Sequence, residues 1–180
     1  MFNQLCETAS DINEHLTTLR DLASECHHIT EMGVRYIVST YGFAEGLKKG
    51  DTLLSIDITH PMSYGGDLQS IKQHCVNKGI NFEFRLGDTR QIEIGETDLL
   101  FIDTLHQYSQ LKCELALHAN KAKKYIVFHD TSTFATMGDD GIEGHGLWKA
   151  IEEFLVEHKE WKIKFRHTNC NGLTALEKCS

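Results

Sequence analysis

Five apolar runs in this 180-residue chain end in side chains that can do chemistry. The first closes on Glu31-Met32-Gly33, the second on Asp57 and the third on Gly87-Asp88-Thr89. The fourth closes on Asp103 with His106 three residues later, and the fifth on His129-Asp130. One acidic residue after a strand has a plain use, capping the next helix through backbone N–H groups. Five such positions are harder to dismiss. If the runs are strands of one sheet, their ends share a rim, where this many carboxylates repel one another unless a cation or a polyhydroxyl ligand absorbs the charge. The chemistry open to these side chains is cation binding, hydrogen-bond acceptance from hydroxyls, and proton transfer by an imidazole that titrates near neutrality.

The elements that must position them are legible as alternating patterns. Ile12, Leu16, Leu19 and Leu22 recur at helical spacing, and Asp11 with Glu14 has the spacing of a capping box, so a helix opens the chain. Strands are expected at 27–32, 52–57, 81–86, 98–103 and 125–130. Helices are expected at 38–49 with a stop at Gly50, at 67–77 before Gly79, at 108–123 and at 146–156. WKIKFRHT and LTALEK then face each other across NCNG, whose Asn171-Gly172 pair is a tight-turn signal. The expectation is an α/β fold, a Rossmann-like three-layer αβα sandwich. Its seven-stranded sheet is mostly parallel with an antiparallel C-terminal hairpin, and ligands bind beyond the C-terminal ends of the strands. A single domain over 1–180 is expected, with a helical segment at 1–26 and the core at 27–180.

Composition narrows the partners. A formal charge of −8 disfavours nucleic acid and anionic membranes. No apolar run is long enough to span a bilayer and no secretion signal is visible, which points to a cytoplasmic address. The six scattered cysteines form no framework and are expected to be free thiols.

The stretches EMGVRYIVST, IDITH, FIDTLHQY to YIVFHDT, GHGLWKAIEEFL and NGLTALEK resemble the class I S-adenosylmethionine-dependent methyltransferases. The resemblance covers roughly residues 27–178 and is nearest to the metal-dependent sugar O-methyltransferases and the cephalosporin hydroxylase relatives. It implies S-adenosylmethionine as cofactor, with Glu31 and Gly33 in the first motif, Asp57 at the ribose hydroxyls, Asp88 beside the adenine and Asp103 near both ligands. It further implies a divalent metal, magnesium or manganese, held by Asp103, His129 and Asp130; a histidine in that set leans toward manganese, iron or zinc. His106 falls where such enzymes keep the general base, assisted by Asp103. The implied acceptor is a hydroxyl of a small molecule, a sugar or glycan unit among them. One departure is plain: where relatives carry a further glycine or two, this chain has Tyr36-Ile37, so a narrower pocket or a rerouted loop is expected.

Other residues carry less. His27-His28 lie at the opposite rim, and His118, His158 and His167 read as solvated positions. GDDGIEGHG (138–146) reads as a lid over the substrate, with His145 a candidate contact, because an EF-hand would need its glutamate at the twelfth position. Trp148 and Trp161 read as packing residues. Besides the enzyme, two other readings fit parts of the pattern. One is a non-catalytic methyltransferase-fold module within a complex. The other is an NAD-dependent oxidoreductase, which lacks support from any GxGxxG; hydroxylase chemistry at the same metal cluster has only the related group's name behind it. A homodimer through the N-terminal helix is a further expectation.

Overall fold

The computed structural model describes residues 1–179. Its centre is a seven-stranded sheet in the order β3-β2-β1-β4-β5-β7-β6. The strands are β1 (His28–Met32), β2 (Thr52–Asp57), β3 (Asn81–Leu86), β4 (Thr97–Ile102), β5 (Ala122–His129), β6 (Trp161–His167) and β7 (Leu173–Lys178). The first five run parallel; β7 pairs antiparallel with both β5 and β6. The turn joining β6 and β7 holds Cys170, Asn171 and Gly172 at positive φ, as the Asn-Gly signal predicts.

Helices cover both faces. On one side α1 (Phe2–Glu7), α2 (Leu16–Ala23), α3 (Val38–Gly46) and α4 (Leu68–Lys78) bury Leu16, Leu19, Phe43 and Ile71 against Ile29, Leu53, Phe101 and Val127. On the other, α5 (Tyr108–His118) and α6 (Leu147–Glu157) bury Leu111, Leu115, Ile151 and Phe154 against Leu54, Leu100, Ile126 and Phe128. Alternate residues of the central strands thus feed two cores, the arrangement that near-continuous apolar strands require. Trp161 is buried in the second core, and the half-buried Trp148 stacks under the Arg166 guanidinium at 3.8 Å.

Several expected boundaries move for physical reasons. The helix beginning at Val38 stops at Gly46, not near Lys49, because it lies hard against α2. A Cβ on Gly46 would fall within the van der Waals radius of the Arg20 carbonyl oxygen and 2.7 Å from Ala23 Cβ. Gly46→Ala is therefore expected to force the two helices apart and lower stability by about 1–3 kcal/mol. Urea unfolding reads this as a lower midpoint with unchanged slope. The helix from Tyr108 ends at His118, and after one 3-10 turn β5 begins at Ala122, three residues earlier than expected. The Asp11–Glu14 capping box does not form. The chain enters α2 through a 3-10 turn at Asn13–His15, and the Asp11 carboxylate pairs with Arg35 instead. His118 is no solvated residue: it is buried, and its Nε2 donates to the Thr89 carbonyl at 2.6 Å. His158 and His167 are half-buried, on Phe154 and between Phe165 and His15 respectively.

Candidate active site

The strand order reverses between β1 and β4, and the crevice beyond their carboxyl ends is the binding position of an open α/β sheet. A cavity of about 390 Å³ lies there, within the range of small-ligand sites. Of the residues singled out from the sequence, Gly33, Asp57, Asp88, Asp103 and His106 line it. His129 and Asp130 lie buried behind Asp103, and Glu31 lies beneath the cavity. His145 is outside the cavity lining, its Nδ1 paired with Asp140 at 2.8 Å.

The loop after β1 is held from below by Asp57. Its Oδ2 accepts from the backbone N–H groups of Val34 (2.8 Å) and Arg35 (3.0 Å), and its Oδ1 from Thr59 N–H (2.8 Å). Gly33 sits at φ 88°, and a Cβ there would lie 2.6 Å from the Asp103 carbonyl carbon. Only glycine lets the loops after β1 and β4 touch. At the Tyr36-Ile37 departure the loop turns left-handed. Ile37 takes φ 68°, a left-handed conformation that glycine adopts freely and that costs a β-branched residue about 1–2 kcal/mol. Burial of its side chain, 1% exposed, offsets that strain. Tyr36, half exposed, meets Tyr64 edge-on at 6.0 Å, and both rings line the cavity.

Glu31, expected in the first motif at the cofactor, is not among the residues that line the cavity. It is fully buried and accepts hydrogen bonds from Ser39 (2.6 Å), Thr40 (2.9 Å) and Ser55 (2.5 Å), tying β1 and β2 to the start of α3. Burial raises its pKa to about 7 against the pull of these three hydroxyls. A carboxyl whose folded pKa is raised stabilises the fold fully below the unfolded value near 4.5, and that contribution is lost as pH rises through about 7. Across that window wild type is expected to lose on the order of 3 kcal/mol that Glu31→Gln does not lose. Urea unfolding of both proteins at pH 5 and pH 8 reads the difference; equal pH dependence would show that Glu31 ionises normally.

At the far end of the cavity Asp88 is gripped by Arg90, whose guanidinium holds the Asp88 carboxyl below its ordinary value. A buried polar network stands behind it. Glu114 accepts from Thr89 (2.5 Å), Gln110 (2.8 Å) and Thr104 (2.9 Å), three residues that line the cavity. Burial raises the Glu114 carboxyl. No sequence pattern marked this network, because its members lie on two loops and a helix.

The acid–imidazole cluster occupies the other end. His106 Nε2 lies 2.7 Å from Asp130 Oδ2 and 3.5 Å from Asp103 Oδ1, while His129 Nδ1 lies 3.5 Å from Asp103 Oδ2 and 3.4 Å from Asp130 Oδ2. Burial alone would push both imidazoles down, but the nearby Asp103 and Asp130 carboxylates outweigh it and raise each to about 10. The same contacts hold both carboxyls below their ordinary values despite burial. Asp139, which sequence reasoning missed, comes from the 138–146 loop. It accepts from His106 backbone N–H at 3.0 Å and meets His106 Nδ1 at 3.2 Å, while Phe134 stacks on the ring at 4.5 Å. His106 Nδ1 is thereby committed, and Nε2 is the atom aimed at the carboxylates.

The donor set fits a divalent metal. One ligand atom from each of Asp103, His129 and Asp130 lies within 4.8 Å of the others. His129 Nε2 lies 3.2 Å from the Cys170 carbonyl, which can only accept, so Nε2 carries a proton and Nδ1 is the coordinating atom of the neutral ring. His129 Nδ1 and Asp130 Oδ1 are buried without a hydrogen-bond partner. Orphaned donors facing one point are what an ion satisfies.

The chain matches no known family profile and no curated protein. Its fold matches solved methyltransferases along nearly its whole length. The O-methyltransferase from Bacillus cereus, in complex with S-adenosylhomocysteine, superposes with a TM-score of 0.69 at 13% identity, over 98% of this chain and 88% of that one. The O-methyltransferase of tomaymycin synthesis from Streptomyces achromogenes, in complex with S-adenosylmethionine, gives 0.64 at 15% identity over 96% and 82%. Magnesium protoporphyrin IX methyltransferase from Synechocystis, with bound S-adenosylmethionine, gives 0.63 at 15% identity over 99% and 90%. The protein therefore has the class I methyltransferase fold, in the form shared by these O-methyltransferases.

Proposed function

We propose that this chain is an S-adenosylmethionine-dependent, metal-assisted O-methyltransferase acting on a hydroxyl of a small molecule. The observation that carries the reading is the contact between the Gly33 loop and Asp103: the cofactor cradle and the acid–imidazole cluster are two walls of one cavity. Asp57 fixes the cradle, and Asp88 with the Thr89–Gln110–Glu114 network shapes its far end. Bound there, the cofactor's sulfonium supplies an electrophilic methyl group. Asp103, His129 and Asp130 would hold a divalent metal, which would supply Lewis acidity; that would suit an acceptor with vicinal hydroxyls such as a sugar. His106, raised to about 10 by the bare carboxylates, would be neutral once a cation offsets their charge, and its Nε2 would then take the hydroxyl proton, with Asp139 and Phe134 fixing the ring and Asp103 beside it. Cytoplasmic location and action as a single domain complete the proposal; no described helix is long and apolar enough to cross a membrane.

A nicotinamide oxidoreductase is disfavoured by the antiparallel β7 inserted between β5 and β6. A non-catalytic module is disfavoured by the open cavity and the acid–imidazole cluster at its end. The test is calorimetry with S-adenosylhomocysteine, with and without manganese, then transfer of a labelled methyl group to a panel of sugars and other small hydroxyl compounds. Binding with transfer that His106→Ala abolishes supports the reading. Failure to bind S-adenosylhomocysteine under any metal condition overturns it.

A further inference from the structure

His15, in the 3-10 turn that leads into α2, is buried and reaches the other end of the chain. Its Nε2 lies 3.0 Å from the Asn169 carbonyl oxygen and 3.2 Å from that of Cys170, both in the turn joining β6 and β7. Carbonyls only accept, so Nε2 carries the proton and donates to them. The Cys170 oxygen is also the acceptor of His129 Nε2, at 3.2 Å. One carbonyl thus joins His15 to the side chain whose unpartnered Nδ1 faces Asp103 and Asp130. The His15 and His129 rings meet edge-on at 5.8 Å, and His167 stacks on His15 at 6.0 Å.

That carbonyl does not hold its own direction. Cys170 sits at φ 44°, a left-handed conformation that a residue with a side chain keeps only where its surroundings fix it. The N-terminal segment does the fixing. Besides the His15 bond, the Glu14 carboxylate accepts from Asn169 Nδ2 at 2.5 Å, and the Ser10 carbonyl accepts from Cys170 Sγ at 3.5 Å. We propose that His15 is a positioning residue for the metal site. By holding the Cys170 carbonyl in place it commits His129 Nε2 as a donor and leaves Nδ1 bare toward the two carboxylates. The inference rests on the metal half of the function proposed above. The bond from His129 to Cys170 can nevertheless be read with no metal present, because Nε2 bears its proton in both the neutral and the charged ring.

The experiment compares two variants of the full chain. His15→Phe keeps a buried ring and removes the donor, whereas His15→Gln packs less well and its amide can still donate. A packing role and a positioning role therefore predict opposite orders. His15→Phe is expected to lower manganese affinity about tenfold, the lower end of the loss seen when a hydrogen-bond partner behind a metal ligand is removed, and His15→Gln to keep most of it. Electron paramagnetic resonance of free manganese reads the affinity. In the metal-free proteins, nuclear magnetic resonance reads exchange of the His129 Nε2 proton with water, expected to be at least about tenfold faster in His15→Phe than in wild type, with His15→Gln between. The amide spectrum of the same samples shows that each variant is folded. Wild-type manganese affinity in His15→Phe, or a larger loss in His15→Gln, overturns the proposal. A wild-type protein that binds no manganese overturns the metal reading, and the ring proton then decides: faster exchange in His15→Phe supports the placing of the Cys170 carbonyl by His15, and unchanged exchange overturns it.

Discussion

Asp57→Ala is expected to weaken S-adenosylhomocysteine binding by at least about a hundredfold, the largest loss of any single change in the cofactor cradle. Two effects add. In the proposed binding mode the carboxylate accepts from the ribose hydroxyls, and losing two such charge-assisted bonds is worth on the order of 3 kcal/mol, which is that hundredfold. Asp57 also accepts from Val34, Arg35 and Thr59, so its removal frees the loop that carries Arg35 and leaves Ile37 strained with less to hold it. Asp57→Asn, which keeps one acceptor oxygen, is expected to fall between wild type and alanine. Calorimetry reads all three proteins. Because the same three bonds hold the loop after β1 in place, Tm is expected to fall as well, and calorimetry is run well below it. Wild-type affinity in Asp57→Ala would remove Asp57 from the ribose position and, with it, the assignment of the cavity's two ends.

What the sequence showed and what it hid divide along a physical line. Apolar runs ending in acidic residues placed β2, β4 and β5 and the rim of the site, because strand period and strand ends are local properties. The same reading placed Glu31 in the first motif with Gly33; Glu31 is the fourth residue of β1 and Gly33 the first past its end. A residue within a parallel strand faces a helix layer, and there Glu31 found three hydroxyls. Contacts between segments distant in sequence were not legible. Asp139 reaches His106 across 33 residues and Asp11 reaches Arg35 across 24, and neither pair has a spacing rule. Asp11 even carried a misleading local signal, since a capping-box spacing only operates if the helix starts there. Gly46, not Gly50, ended its helix for a related reason: close packing on α2 decided the boundary before local propensity could.

Asp130→Asn is expected to reduce manganese binding by at least about a hundredfold while leaving metal-free binding of S-adenosylhomocysteine intact. Asparagine is the informative replacement because Asp130 sits at φ 60°, a left-handed conformation that Asn tolerates and Ala does not. The backbone after β5 is thus kept, and only charge is removed. That charge matters because Asp130 is buried and its Oδ1 has no protein partner, so a cation there is opposed by little water and attracted at short range. His129→Ala should cost less, since it deletes a neutral ligand but keeps both carboxylates. His129→Gln should resemble it, because glutamine cannot donate to Cys170 and present a coordinating nitrogen at once. Electron paramagnetic resonance of free manganese reads each affinity. If Asp130→Asn binds manganese as wild type does, the Asp103, His129 and Asp130 cluster is an internal ion-pair network, in which the two imidazolium groups already neutralise the carboxylates and no metal is needed.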